Sequence, residues 1–496
     1  MRQIPTGHAK AQERSRLGAR ADDGQQAAHP WLALCTMALG LMMVLLDTSV
    51  VSVANATIGK DLHGSLAGLQ WVTDAFLLAI ATGLVAGGKL GDHHGRRRLF
   101  GLGAAGFAVT SAGCGLSVSM GMLIGFRGAQ GLAGAAMMPQ TLATLRATFG
   151  RRFPLAVGIY VGISSLAIAS GPIVGGALGQ AAGWRSIFFI NVIIGAAVIT
   201  AARAFVPETR SSRAAAMDVP GALLLAGALF CLAWALVNSG SHAWSSAYTL
   251  GFLAAATVLA VLWAVRMARA AAPLVPLSLL RAASFDAGIG VVTATGFTMY
   301  GRLFYLTLYL QRVHGDSPIA AGAALLPLTA ASGIAAPVGG VLARHVPLRL
   351  ELGAGLLLIT AGTLGLTGLG RAAAPLSLAP WLALAGVGVG ISLTGGSQAI
   401  VGSAPPAHAG IATGIQQTSL NIGGALATAI LGSVMASRAG AAVPGLLATQ
   451  QSMTSGLRSA FIIIAAVTAA ASLVAVSLIG GPAPTTQSGG NVRSPG

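Results

Sequence analysis

Charge is scarce in these 496 residues: Asp, Glu, Lys and Arg together make up 8%, and only 12 residues are acidic. A soluble domain carries about a quarter charged residues, so this shortage excludes an ordinary water-facing enzyme and favours a chain that lives in lipid. Cysteine is almost missing. Cys35, Cys114 and Cys231 lie far apart inside apolar runs, which leaves neither a disulfide framework nor a metal-ligand spacing. No G-x-S-x-G, H-E-x-x-H or Walker loop is present, so the signatures of a serine hydrolase, a zinc protease and an ATP-driven pump are all lacking. No metal, no cofactor and no enzymatic activity are expected.

What is present is apolar: 54% of residues are hydrophobic and 69 are glycine. Fourteen stretches are each long enough, at 1.5 Å per residue, to cross a hydrocarbon core of about 30 Å. They lie near 32–57, 69–88, 99–117, 121–145, 154–179, 185–206, 219–238, 247–266, 284–311, 318–343, 350–369, 376–401, 408–436 and 458–480. The first is too long for the core of a signal peptide and is retained as a span. A net charge of +17 would suggest nucleic acid in a soluble protein. Here it follows the loops: with the N-terminus inside, 21 Lys/Arg fall on the cytoplasmic side, 6 outside and 2 within spans. That asymmetry predicts a multi-pass protein of the cytoplasmic membrane with both termini inside, and removes nucleic acid as a partner. Residues 1–31 and 481–496 are polar tails predicted to be disordered.

Ionisable groups inside spans are costly, about 2.5–3.5 kcal/mol on insertion scales, and by default mark function. Asp47 lies about 15 Å below the outer end of the first span, Asp74 about 8 Å below that of the second, and Arg127 about 9 Å below that of the fourth. The three can share one polar layer. A proton carrier needs a carboxylate that moves between an arginine-paired, charged setting and a buried, neutral one, which points to Asp47, tuned by Asp74 and Arg127. The alternatives are that Asp74 is the carrier, or that Asp47 only pins two helices together and Asp74 stays hydrated at the interface. Arg302, deep in the ninth span, either snorkels outward or belongs to a substrate path.

The densest charged run is Gly88-Lys89-Leu90-Gly91-Asp92-His93-His94-Gly95-Arg96-Arg97-Arg98, between the second and third spans. Gly91 and Gly95 permit a tight reversal, and Asp92 can cap backbone N–H groups or pair with an arginine. The order G-x-L-x-D-x-x-G-R-R resembles the signature loop of the major facilitator superfamily. That resemblance implies a conformational latch formed by Gly88, Leu90, Asp92, Gly95, Arg96 and Arg97. His93 stands where the family has Arg or Lys, which opens a pH-sensitive contact. In the fifth span Gly158 and Gly162 precede Gly171-Pro172-Ile173-Val174-Gly175-Gly176, which resembles the antiporter motif of drug exporters, with Ala167 in place of a usual glycine. Gly183-Trp184-Arg185 and Phe188-Phe189-Ile190-Asn191 resemble the family's start of the sixth span.

Six spans, two more, and six again resemble the fourteen-helix drug:proton antiporters of that superfamily. The implied fold is all-α: a six-helix bundle at 32–206, a 207–283 linker carrying two additional helices, and a second six-helix bundle at 284–480. Gly340-Val341-Leu342-Ala343-Arg344 is a worn copy of the latch 252 residues on, with Arg344 in the place of Asp92. Such a repeat fits two halves with substrate at their interface. Gln140, Tyr305, Gln416, Gln417 and Asn421 are the candidate lining of that cavity, while Leu420 stands where many relatives have arginine. The resemblance implies a monomer that exports amphiphilic drugs or antibiotics against protons by alternating access and so confers resistance. Proton-coupled export of a natural metabolite, amino acid or lipid is the rival reading, and a membrane-embedded enzyme or sensor the remote one.

Overall fold

A computed structural model describes residues 29–63, 66–209, 218–238, 244–270, 275–276, 279–312, 314–316, 318–343, 345–368, 375–438 and 450–479. The tails at 1–28 and 481–496, and Arg344, lie outside the described residues. Among the described residues there are fifteen α-helices. They are α1 Pro30–Asp61, α2 Leu66–His94, α3 Arg96–Gly115, α4 Met120–Phe149, α5 Phe153–Ala182, α6 Ser186–Phe205, α7 Val219–Asn238 and α8 Ala247–Arg269. There follow α9 Ala283–Arg312, α10 Pro318–Ala324, α11 Leu326–Leu342, α12 Leu348–Thr367, α13 Pro375–Ser397, α14 Ala409–Arg438 and α15 Gln450–Ile479. Every predicted span is helical, and eight of the helices are long and apolar enough by composition alone to cross a membrane.

One predicted span is split. Pro327 has no N–H to give the carbonyl of Ala323, so the run from 318 to 343 breaks at Leu325 into α10 and α11. A π-helical stretch, Gln398–Gly402, continues α13. Several helices run past the predicted spans, as α2 to His94 and α4 to Phe149, because helices continue past the hydrocarbon edge, while α7 matches its span and α6 is one residue shorter at each end.

The two bundles are built alike. In the first, α1 packs on α5 and α6, α4 on α2 and α3, and α3 on α6. In the second, α9 packs on α14 and α15, α13 on α11 and α12, and α12 on α15. First-with-fifth, second-with-fourth and third-with-sixth pairings therefore recur. Between bundles, α2 meets α14 and α5 meets α11, the same second-to-fifth contact made twice. The additional pair α7 and α8 forms a hairpin whose α7 lies on α2 and α14, and Arg266 pairs with Asp218 at 2.7 Å to tie its two ends. Lipid-facing side chains such as Leu102, Ile193, Leu223, Val258 and Leu473 are exposed and apolar.

Glycine sets how closely helices approach. A Cβ on Gly131 of α4 would sit 2.4 Å from the Phe76 carbonyl of α2, whereas one on Gly128 would meet nothing within 4 Å. Two substitutions three residues apart on one helix should therefore part company. Gly131→Ala should cost about 1–3 kcal/mol by overpacking, while Gly128→Ala should be neutral or stabilise by up to about 1 kcal/mol. Thermal unfolding in detergent checks this, and equal shifts for the two variants would contradict the packing.

Candidate functional site

Asp47 is wholly buried in the first bundle, where it pairs with Arg127 of α4. Asn191 of α6 donates to its Oδ1 at 2.7 Å and Gln130 donates to the same atom at 3.2 Å. Arg127 also donates to Gln130 Oε1 at 2.7 Å and to the Val72 carbonyl of α2 at 2.9 Å, and its guanidinium lies 4.0 Å from the centre of the Phe76 ring. Asn191 reaches on to Ser111 of α3 at 3.1 Å, and Ser111 donates to the Phe188 carbonyl at 2.9 Å. One carboxylate thus ties together helices α1, α2, α3, α4 and α6. Gln130, Asn191, Ser111 and Phe76 were not singled out in the sequence as members of this site. Their signal was present: Gln130 is one turn from Arg127, and Asn191 is a polar residue in an apolar run.

Asp74 does not join this layer. An α-helix turns 100° per residue, so Val72 and Phe76, four apart, share the face toward Arg127 while Asp74 between them points away. It is half-buried, with no hydrogen-bond partner among the described residues. The expectation that Asp47, Asp74 and Arg127 share one layer holds for two of the three.

At the opposite end of α2, Asp92 is buried and bridges the two bundles. It accepts from Arg96 Nη2 at 2.7 Å and Nε at 3.1 Å, and from the backbone N–H groups of Gly410 at 3.2 Å and Ile411 at 3.3 Å. The helix it caps is α14 of the other bundle, not the following α3. Arg96 in turn donates to the Pro406 carbonyl at 2.9 Å and the Ala143 carbonyl at 3.3 Å. A Cβ on Gly88 would sit 2.3 Å from the Gly410 carbonyl, so two backbones touch there. Gly95 has φ +106°, as a reversal requires. Gly91 does not: it lies within α2, where a Cβ would run into the Gln140 amide at 1.8 Å. Arg97 reaches Glu208 through its backbone N–H at 3.2 Å, with the side chains 3.6 Å apart. Leu90 is half-buried, and His93 is exposed with its ring against that of His94.

The glycines of α5 divide between two tasks. Gly158 and Gly162 abut the Ala336 and Gly333 carbonyls of α11, at 2.3 and 2.7 Å for a Cβ. Gly175 lies against Val50 of α1, at 2.9 Å for a Cβ, one turn from Asp47. Gly171 is buried and Gly176 half-buried, while the Pro172 side chain lies outside those described. At the outer end Asp61 accepts from the Trp184 indole at 3.0 Å and from Arg185 at 2.5 Å, and these two bonds hold its carboxyl below the usual carboxylate range.

Contacts between bundles run from the Asp92 end along α5 and α11, where Ser165 and Ser332 share a hydrogen bond at 3.2 Å. On α2 the row facing α14 runs from buried Gly88 and Leu84 to Leu77, 40% exposed. On α14 it runs from buried Gly410 and Gly414 through Gln417 to half-buried Asn421. Gln416 and Gln417 are both buried on this stretch of α14, and Asn421, one turn on, is half-buried. Gln140, expected to line a cavity, is wholly buried within the first bundle and donates to the Gly87 carbonyl at 2.9 Å. Tyr305 is likewise packed among Phe297, Leu306 and Leu310 in the core of the second bundle. Both corrections have one cause: a polar residue in a span is as readily spent on its own bundle. Arg302 does not snorkel, being fully buried and donating to Thr363 Oγ1 at 2.6 Å. Among the described residues no cluster of His, Cys, Asp or Glu fit to hold a metal is found.

The Major Facilitator Superfamily family model matches residues 37–428. A tetracenomycin C resistance and export protein of Streptomyces glaucescens is 42% identical over 84% of this chain and 78% of its own length. The multidrug resistance protein Stp of Mycobacterium tuberculosis is 34% identical over 82% of this chain and 76% of its own. The multidrug efflux pump LfrA of Mycolicibacterium smegmatis is 31% identical over 85% and 84%. Among solved structures the human organic anion transporter MFSD10 (TETRAN) shares the fold, with TM-score 0.57 and 16% identity over 90% of this chain and 99% of that one.

A buried ion pair broken on one side leaves an uncompensated charge, at a cost of about 3–5 kcal/mol, whereas removing both partners is far milder. Arg127→Leu should therefore lower the thermal midpoint in detergent more than the double variant Asp47→Leu with Arg127→Leu. A double variant no more stable than Arg127→Leu alone would show that the pair is not the organising contact.

Proposed function

The chain belongs to the major facilitator superfamily, and from that membership we propose that it is a proton-coupled antiporter that exports amphiphilic drugs or antibiotics by alternating access. That it is a drug-efflux transporter, multi-pass and without enzymatic activity, follows from the family and from relatives that resist and export antibiotics. The coupling ion, the working cycle and the sidedness are the proposal. Asp47 carries it: a carboxylate buried with an arginine at the centre of a bundle is a group whose charge can be traded.

The cycle runs as follows. Ionised Asp47 binds α1 to α4 and α6 through Arg127 and Asn191. A proton from outside removes that charge and loosens the grip on Arg127. Val50, three residues on, carries the change to α5 through Gly175, and α5 meets α11 through Gly158 and Gly162. The two bundles then rock, and the Asp92 contact with α14, placed in the cytoplasm by the basic loops, is made in one state and broken in the other. The Asp92 contact with α14, made here, supports a state closed at that end, and Gln416, Gln417 and Asn421 would offer hydrogen bonds to a bound compound in the other. Exchange is obligatory because proton and substrate depend on one charge. The additional helices α7 and α8 remain peripheral. The 42% identical relative is named for resistance to and export of tetracenomycin C, which makes that compound the first to test.

In proteoliposomes with an imposed pH gradient, the wild-type protein should accumulate tetracenomycin C uphill. Asp47→Asn should reduce uphill transport to background yet keep downhill exchange, since binding and rocking need not be lost. Uphill transport at the wild-type rate in Asp47→Asn would move the proton to Asp74 or end the assignment. A broad compound panel in a sensitised host separates drug efflux from export of a single natural metabolite.

A further inference from the structure

The second bundle holds a carboxylate that the cycle above does not use. Glu351, in the first turn of α12, is buried, at 2% exposure, and neither of its oxygens has a hydrogen-bond partner among the described residues. It faces glycines on two neighbouring helices. A Cβ on Gly395 of α13 would lie 3.1 Å from its Oε1, and one on Gly339 of α11 would lie 3.8 Å from the same atom. Gly340, the next residue of α11, is pressed on α5 of the first bundle, where a Cβ would meet the Pro154 carbonyl at 2.3 Å. One side of this helix end thus seals the bundles together and the other covers Glu351. The matching position in the first bundle, 252 residues earlier, is Leu99, and the latch acid Asp92 is replaced by Arg344 in the copy. The second bundle has given up the acid of the loop and placed one seven residues further on, behind the seal.

We propose that Glu351 is a second proton-binding site, whose protonated form fits the dry niche between α11 and α13 and keeps α11 seated on α5, and whose ionised form draws in water and releases that seal. A neutral carboxylic acid tolerates an apolar niche, whereas an unpaired carboxylate does not. Its neighbours place their titratable groups elsewhere: α11 and α13 contain none, on α15 Arg458 is at the far end from the Ser472 contact with α12, and on α9 Arg302 meets α12 at Thr363, twelve residues beyond Glu351, while Asp286 is exposed. Pro154 and Leu155 face it across the seal. On its own side Arg349 and His345 are exposed, and the Arg344 side chain lies outside those described. The site lies at the end assigned to the cytoplasm, so it reads cytoplasmic pH: acidification holds the seal shut, and rising pH opens it. The inference deepens the alternating-access reading and rests on it.

The test is a distance measurement across the seal. Cysteines introduced by Arg151→Cys, between α4 and α5, and His345→Cys, between α11 and α12, carry spin labels in a background where Cys35, Cys114 and Cys231 are alanine. The second label also removes the one histidine of that loop. In nanodiscs, electron–electron double resonance between pH 5 and 9 should show the short distance giving way to a longer one as pH rises. For one proton, the open-to-sealed ratio can rise at most about tenfold per pH unit. Glu351→Gln should hold the short distance across the range. Glu351→Leu, which places the first bundle's residue here, should do the same and guards against a variant that fails to fold. The same pH response in both variants, or none in the wild type, overturns the proposal. Tetracenomycin C added at fixed pH separates the two readings. If it moves the labels and pH does not, only the Glu351 site falls. If neither moves them, alternating access at this seal falls with it.

Discussion

A charge placed in hydrocarbon must find its opposite or lose its charge, and the first bundle is assembled around that constraint. Arg127 has Asp47, Gln130, the Val72 carbonyl and the Phe76 ring as neighbours, so its guanidinium is met from α1, α2 and its own helix. Asn191 extends the same set of bonds to α6 and α3. The second bundle keeps the architecture but not the pair. Thr363, which lies 252 residues after Ser111, receives a hydrogen bond from Arg302, and among the described residues no carboxylate joins them. Charge is thus asymmetric inside symmetric packing, and in the proposed cycle it is the first bundle that holds the coupling proton.

The contact between bundles is made of backbone. Gly88 on Gly410, Gly158 on Ala336 and Gly340 on Pro154 bring main chains together where any side chain would intrude. Such surfaces gain little from specific bonds and separate at little cost. Side chains join in at two places: Ser165 meets Ser332 at 3.2 Å, and Asp92 with Arg96 supplies the charge, the carboxylate holding amides at the start of α14 where the helix dipole is positive and Arg96 the Pro406 carbonyl. The surface between the bundles is thus smooth with one charged clasp.

Much of this was legible in the sequence because its physical scale is set by the bilayer. Spans of about twenty residues, basic loops and an arginine opposite an aspartate follow from thickness and desolvation. Gly95 lies at the reversal between α2 and α3 and Asp92 pairs with Arg96, both suggested by the charged run, but α14 as the partner of Asp92 was not foreseen, since nothing local announces a helix 318 residues away. Asp74, Gln140 and Tyr305 were misplaced for a related reason. Depth along a helix can be counted from its end, but the direction in which a side chain points depends on which neighbour covers that face. Gly91 was assigned to a turn when its task is to admit Gln140. Glu351 drew no notice, although it is one of few acids in the second bundle, because its isolation is visible only once α11 and α13 are in place.

The central claim is that Asp47 carries a proton which the exported compound displaces. Proton release on binding tests it most directly: purified protein in detergent, in weakly buffered solution, is titrated with tetracenomycin C while pH is followed. The account predicts that saturating compound releases protons from the wild-type protein and that this release is lost in Asp47→Asn while the compound still binds. Equal release from both proteins, or binding to the wild type with no release, would contradict it.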